Sequence, residues 1–361
     1  MVENILLLTI FSALITFFFT PITILLAKKY GLVDNPKVRP HPAHTHSGII
    51  PRAGGLPIFL GIIIPLVLLF PITKQLLGIA FGALILILIG LWDDKKNRSP
   101  HIRFLTNSIA ALIAVGAGVG IPFITNPFGN IIHLDNLVIN LDLFGNHNIY
   151  ILADIFAFLW IIWTTNIIGW SGGVDGQLPG FVSISAIIIG ILSIRFVVPD
   201  PIQLQVTYLS FLTAGAFLGF LPWNFFPQKI MPGYGGKTLA GFMLGILSIL
   251  AYSKVGTAIL VLAVPMCDAV FILLKRIINR KSLVEATSGH LHHHLLVLGW
   301  GRRRIAVFYW IISAVFGILA LVLNSKQKVF AAILILVAIG GFLFLINGII
   351  RLTKTSENEE F

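Results

Sequence analysis

Apolar residues in this chain come in long unbroken blocks, with polar residues gathered between them. The first block, Ile5 to Ala27, is longer than a signal-peptide core and has the length of a bilayer helix. Glu3 precedes it and Lys28 and Lys29 follow, so it reads as a retained helix with its N-terminus outside. Further blocks complete eleven predicted spans, at roughly 4–27, 54–71, 76–92, 104–125, 151–168, 179–197, 205–222, 238–252, 255–275, 305–324 and 329–350. The short alternating segments of a transmembrane β-barrel are absent. The expected fold is an all-α polytopic membrane protein of about eleven transmembrane helices, with residues 1–361 forming one integral-membrane domain. The stretch 126–150, with Ile-Ile-His-Leu-Asp and Leu-Val-Ile-Asn-Leu-Asp, predicts a short β-hairpin.

Composition sharpens this. Hydrophobic residues make up 57% and charged residues 11%, against about 25% charged in soluble domains. So little charge excludes both an ordinary soluble protein and a disordered one. The formal net charge of +11 would raise nucleic acid as a partner for a soluble domain. In a membrane protein it reports sidedness, and no nucleic-acid partner is expected. The loops at 28–53, 93–103, 169–178, 223–237 and 276–304, with Lys275 and the tail, hold 20 of the 25 Lys and Arg. That bias puts these loops and the C-terminus in the cytoplasm, in a multi-pass cell-membrane protein. Cys267 is the lone cysteine, so no internal disulfide forms.

The same loops carry the reactive side chains. The first packs Lys37, Arg39, His41, His44, His46 and Arg52 among Pro and Gly. It suits an anionic ligand near lipid head groups, or is simply a positive-inside turn. The third span ends in Asp93-Asp94 followed by Lys95 and Lys96. Adjacent carboxylates need a cation, a proton or a basic neighbour to coexist. They read either as a metal–phosphate site or as a helix end neutralised by those lysines. The fifth span runs through Asn166 into Gly-Trp-Ser-Gly-Gly-Val-Asp175-Gly, a ligand-approaching segment or a Gly-rich turn. Asn224 through Gly233-Tyr-Gly-Gly-Lys237-Thr lacks P-loop spacing, yet a helix start with Lys237 can bind phosphate. His290, His292, His293 and His294, with Arg302, Arg303 and Arg304, suit pyrophosphate better than zinc.

Taken in order, Gly31-Leu-Val-Asp34 with Ile50-Pro-Arg-Ala-Gly-Gly55, Asp93-Asp94, Asn166 to Gly176, Asn224 to Phe242 and His290-Leu-His-His293 cover nearly the whole chain. They resemble the polyprenyl-phosphate N-acetylhexosamine-1-phosphate transferase superfamily, glycosyltransferase family 4. Pro265 and Asp268 also match the family's ninth helix. The resemblance implies transfer of a sugar 1-phosphate from a UDP-sugar to a polyprenyl phosphate, with UMP released, at the cytoplasmic face and for cell-wall or surface-glycan synthesis. It implies Mg²⁺ and a homodimer. By the same resemblance, Asp93, Asp94 and Asp175 are the catalytic and metal-binding residues, and Asn166, Lys237, His290, His292, His293, His46, Arg52 and Asn224 bind substrate. On that role, Asp93→Asn is expected to abolish turnover and spare folding.

The chain departs from the family pattern. Asn-x-x-Asn-x-x-Asp-Gly-x-Asp-Gly has Gly169 for the second Asn and Gly172 for the first Asp. Gly-Asp-x-Gly-Ser has Tyr234 for the Asp, a metal ligand in the family, and Lys237 for the Ser. His101 stands where the family has a basic residue, and Thr287-Ser288 where it has Asp-Arg. One reading is an active enzyme in which the Lys237 ammonium partly replaces metal charge. Others are a degenerate homologue that binds lipid phosphate or nucleotide without turnover, and a lipid-linked sugar transporter. Transporters place polar residues at mid-bilayer, whereas here they lie at one surface.

Overall fold

The computed structural model describes residues 2–38, 48–126, 129–141, 147–198, 200, 202–252, 255–280, 282 and 289–359. Among the described residues the regular structure is helical apart from three two-stranded antiparallel sheets. In order these are α1 (Val2–Tyr30), β1 (Val33–Asp34), β2 (Ile50–Pro51), α2 (Gly55–Leu69), α3 (Lys74–Lys96) and α4 (Pro100–Gly116). Next come β3 (Phe123–Ile124), β4 (Ile132–His133), β5 (Val138–Leu141), β6 (His147–Tyr150), α5 (Ile151–Ser171), α6 (Gln177–Ile194), α7 (Ile202–Asn224) and α8 (Gly233–Leu250). The chain ends with α9 (Val255–Val261), α10 (Ala263–Ile278), α11 (Leu291–Val297), α12 (Arg302–Val322) and α13 (Ser325–Glu359).

Among the described residues, eight helices are long and apolar enough to cross a membrane, or nine if α9 and α10 count as one span. The remaining predicted spans are the shorter helices α2 and α4. Two boundaries differ from expectation. The fourth apolar block ends its helix at Gly116, and its remainder turns into β3. The ninth is broken at Leu262, where α9 and α10 meet at 85°. Pro265 sits in the first turn of α10, where a missing N–H costs no helical bond. The expected hairpin is β5–β6, pairing Val138–Leu141 with His147–Tyr150.

Which faces turn inward follows from a solvent as apolar as leucine. In α1 the buried positions include Ser12, Thr16, Thr20 and Thr23, while Leu6, Leu14, Phe18 and Leu25 are exposed. Small polar residues let helices approach and bond across the gap. Ser12 donates to the Leu212 carbonyl of α7 at 2.7 Å. Helix α8 is the hub: 83% of its spanning window is buried, against 11% for α13. It packs on α2, α3 and α5. A Cβ on Gly90 would strike the Gly235 backbone, and one on Gly55 would strike Gly236. Glycine there lets α3 and α2 lie directly against the start of α8, which sets the spacing of the site.

Candidate active site

The loops that the charge bias groups together converge at one end of the bundle. Helix α3 carries Asp93 and Asp94, 0% and 1% exposed. Asn97, at φ 48°, ends α3 and donates its N–H to the Asp93 carbonyl. Ser99 then caps α4, with Pro100 in the first turn. This tight corner swings Arg103 back onto Asp93. Its Nε and Nη2 reach the two carboxylate oxygens at 2.7 and 3.0 Å, and the Arg98 N–H donates to Oδ1 at 2.9 Å. Asp93 is thus a saturated clamp between α3 and α4. These bonds give Asp93 a structural duty beside any part in turnover, which weighs against the expectation that Asp93→Asn would spare folding.

Asp94 points the other way. It accepts the Tyr234 N–H at the start of α8 at 2.9 Å and lies 3.3 Å from Arg52 Nε. Arg52 also stands 3.7 Å from Asp34. The first loop is stitched down by backbone bonds, Arg52 N–H to the Leu32 carbonyl and Met231 N–H to the Pro51 carbonyl. Arginines therefore neutralise the Asp pair; Lys95 and Lys96 are exposed. His46 lies outside the described residues.

Tyr234, in the place of the family's Asp, turns its side chain into the α4–α5 interface. Its hydroxyl is 3.1 Å from both the Arg103 carbonyl and Asn107 Oδ1. Asn107 Nδ2 donates to Asn166 Oδ1 at 3.2 Å, and Asn166 Nδ2 donates to the Ile162 carbonyl at 2.8 Å. Asn166 is the end of this chain of bonds.

The α5–α6 turn brings up the other wall. Asp175, 2% exposed, accepts the Gln228 N–H at 3.3 Å and lies 3.8 Å from Arg302. Asn224 ties two loops together. Its Oδ1 accepts the Gly176 N–H at 3.0 Å, and its Nδ2 donates to the Ile230 carbonyl at 2.9 Å. Gln177 Oε1 accepts the N–H groups of Gly173 and Val174. Over this turn lie two side chains. A Cβ on Gly173 would collide with the His292 ring, and one on Gly172 would be 3.5 Å from Lys237 Cε.

The histidines are placed by Asp268 of α10. Its carboxylate is 2.8 Å from His290 Nδ1 and accepts the Leu291 N–H at 2.8 Å, fixing the start of α11. His290 and His292 stack at 5.5 Å, and the His292 and His293 rings lie 4.3 Å apart. Burial, with like charge from His293, His290 and Lys237, holds the proton affinity of His292 well below its ordinary 6.5. It is therefore a neutral imidazole at neutral pH. Its Nδ1 is buried without a partner among the described residues.

The structure thus brings together Asp93, Asp94, Arg52, Lys237, Asp175, His290, His292 and His293, with Asn224 and Asn166 holding the loops beneath. Sequence reasoning missed Arg103 and Asn107, and it placed Arg302 beside the histidines without naming Asp175 as its partner. For Arg103 a signal existed: the basic residue expected just after Ser99-Pro100 sits two positions beyond His101.

The Mg²⁺ implied by the resemblance needs an oxygen-rich ligand set. Asp93 is filled by Arg103, and Asp94 faces Arg52. Among the described residues no three of His, Cys, Asp and Glu converge as ligands. The described side chains alone therefore do not form a closed ligand set for a divalent cation.

Fold and site together define an integral-membrane protein with a cluster of arginines, aspartates, histidines and Lys237 at one end of its helix bundle. The family model for glycosyl transferase family 4 matches residues 76–252. A "Probable undecaprenyl-phosphate N-acetylglucosaminyl 1-phosphate transferase" of Bacillus subtilis is 31% identical over 323 residues, covering 88% of this chain and 84% of that one. An "Undecaprenyl-phosphate alpha-N-acetylglucosaminyl 1-phosphate transferase" of Thermotoga maritima is 26% identical, covering 78% and 79%. A "Phospho-N-acetylmuramoyl-pentapeptide-transferase" of Rickettsia prowazekii is 26% identical, covering 81% and 84%. The chain belongs to glycosyl transferase family 4.

Proposed function

We propose that this protein transfers an N-acetylhexosamine 1-phosphate from a UDP-sugar to a polyprenyl phosphate, at the cytoplasmic face of the cell membrane, for cell-wall or surface-glycan synthesis. The observation that carries this is the convergence of family-like loops on one site at the end of an apolar bundle. The lipid substrate would arrive from the bilayer and the nucleotide from the cytoplasm. The N-terminus would lie outside and the C-terminus inside, following the basic-residue bias. A homodimer remains part of this proposal by resemblance alone.

In the reaction, an oxygen of the lipid phosphate bonds to the sugar-linked phosphorus. The bridging P–O bond breaks, and its electron pair leaves with UMP. Little covalent work falls to the protein, so alignment and charge neutralisation dominate. Arg52 and Asp94 flank the lipid phosphate in this scheme, with Asp94 the carboxylate that can take its proton. Neutral His292 and its neighbour His293 hydrogen-bond sugar or diphosphate. Asp175, held by Arg302 and the Gln228 amide, orients the nucleotide. No step is routed through Mg²⁺, because the described side chains alone do not complete a site for it.

The test is transfer of labelled sugar phosphate from a panel of UDP-N-acetylhexosamines to undecaprenyl phosphate by the purified protein. A lipid-linked product with one donor supports the reading. Folded protein that binds donor but forms no product would assign a binding role instead.

A further inference from the structure

The cations of the site are not equivalent. Arg103 pairs with Asp93 at 2.7 Å, Arg52 lies between Asp94 and Asp34, and Arg302 faces Asp175. Three arginines thus face four carboxylates, with Arg52 shared between Asp94 and Asp34. Lys237 has neither a hydrogen bond nor an ion pair among the described residues. It sits one turn into α8, half-buried, with Arg52, Asp94, Arg103 and Asp34 as the charges acting on it. Asp94 and Asp34 act on the Lys237 ammonium from a distance without a direct bond, so its hydrogen-bonding capacity is open to a ligand's oxygens.

Its position says which ligand. The Lys237 stem runs 3.5 Å from where a side chain at 172 would begin, and the His292 ring covers Gly173. The Gly172–Gly173 backbone thus lies between the Lys237 stem and the His292 ring, with Leu178 also packed against Gly172. The family pattern has a carboxylate at 172, another at 234 and a serine at 237. Here the two acids are gone, and the added lysine lies over the first vacated position. Tyr234 fills the second by turning into the α4–α5 interface. All three changes move the site's charge the same way, and no set of metal ligands remains among the described residues.

We propose that Lys237, beside the Gly172–Gly173 backbone, is a built-in cation that binds the donor's diphosphate directly, so that donor binding and transfer need no divalent metal. The inference rests on the transferase reading above. As the bridging P–O bond breaks, negative charge grows on the departing UMP oxygen. A preorganised ammonium stabilises that charge without losing its proton. Lysine suits this as a compact point charge on a stem that follows the moving phosphate.

The test is calorimetric titration of UDP-N-acetylglucosamine into the purified full-length chain, in EDTA and in MgCl₂, with lipid transfer assayed in parallel. The dissociation constant should differ less than about threefold between the two conditions. Lys237→Met should weaken binding in EDTA at least about tenfold, about 1.4 kcal/mol, and Lys237→Arg should recover part of it. Binding that appears only with Mg²⁺, no binding in either condition, or Lys237→Met binding like the parent would each overturn the inference. If Lys237→Met does not fold, the EDTA comparison on the parent chain decides alone. Transfer that occurs only with Mg²⁺ overturns the inference and leaves the transferase reading standing. Metal-independent donor binding without lipid product does the reverse.

Discussion

Asp93 offers the sharpest separation of structure from chemistry. Its carboxylate is fully buried and takes three hydrogen bonds, two of them from one guanidinium. Asp93→Asn keeps the shape and removes the charge. Removing one partner of a fully buried pair costs about 3–5 kcal/mol. The Arg103 side chain is 30% exposed, so water repays part of the loss, and about 2 kcal/mol is expected. The assay is a double-mutant cycle with Asp93→Asn and Arg103→Met, read by SDS-driven unfolding in mixed micelles. A coupling energy of about 1–2 kcal/mol is expected, since each single change already releases the α3–α4 corner. Coupling near zero would refute the clamp and return Asp93 to a purely chemical role.

Other outcomes follow from the same geometry. Asn224→Leu leaves the Gly176 N–H and the Ile230 carbonyl without their side-chain partner and should cost about 2–4 kcal/mol by the same unfolding assay. Gly173→Ala places a methyl against the His292 ring, so turnover should fall at least about tenfold while Gly169→Ala, which meets open space, changes little; kinetics of the two variants compare them. His292 binds its proton less readily folded than unfolded, so between its lowered value and 6.5 the unfolded chain holds more protons. Its contribution to stability is therefore full above pH 6.5 and lost as pH falls below it, by up to about 1.4 kcal/mol per pH unit. Unfolding from about pH 7 to about pH 5 should show this slope, and His292→Gln should flatten it.

The helices were legible because hydrocarbon-length apolar blocks leave few alternatives. The site loops were legible because polar residues in such a chain concentrate at its ends. The bend at Leu262 was not, since the apolar run continues through it and only Pro265 hints at a new first turn. The roles within the site were less legible than its membership. Asp93 and Asp94 are adjacent in sequence, yet one clamps α4 and the other faces the α8 start, because successive helical residues point about 100° apart. Arg103 reaches Asp93 only through the left-handed Asn97 corner; Asn97 with Ser99-Pro100 marks a helix end and a new start, but not the angle between the two helices. Tyr234 shows the converse. Its loss of a carboxylate is visible in the sequence, while its new place, bonded to Arg103 and Asn107, needs α4 and α8 both packed on α3 and α5.

The central claim is that the sugar leaves UDP together with its own phosphate. The most direct measurement uses donor UDP-N-acetylhexosamine labelled with ³²P at either phosphate, with undecaprenyl phosphate as acceptor. Label from the sugar-linked phosphate should enter the lipid, and label from the uridine-linked phosphate should stay in UMP. Both labels remaining together in released UDP, with sugar alone on the lipid, would contradict the account.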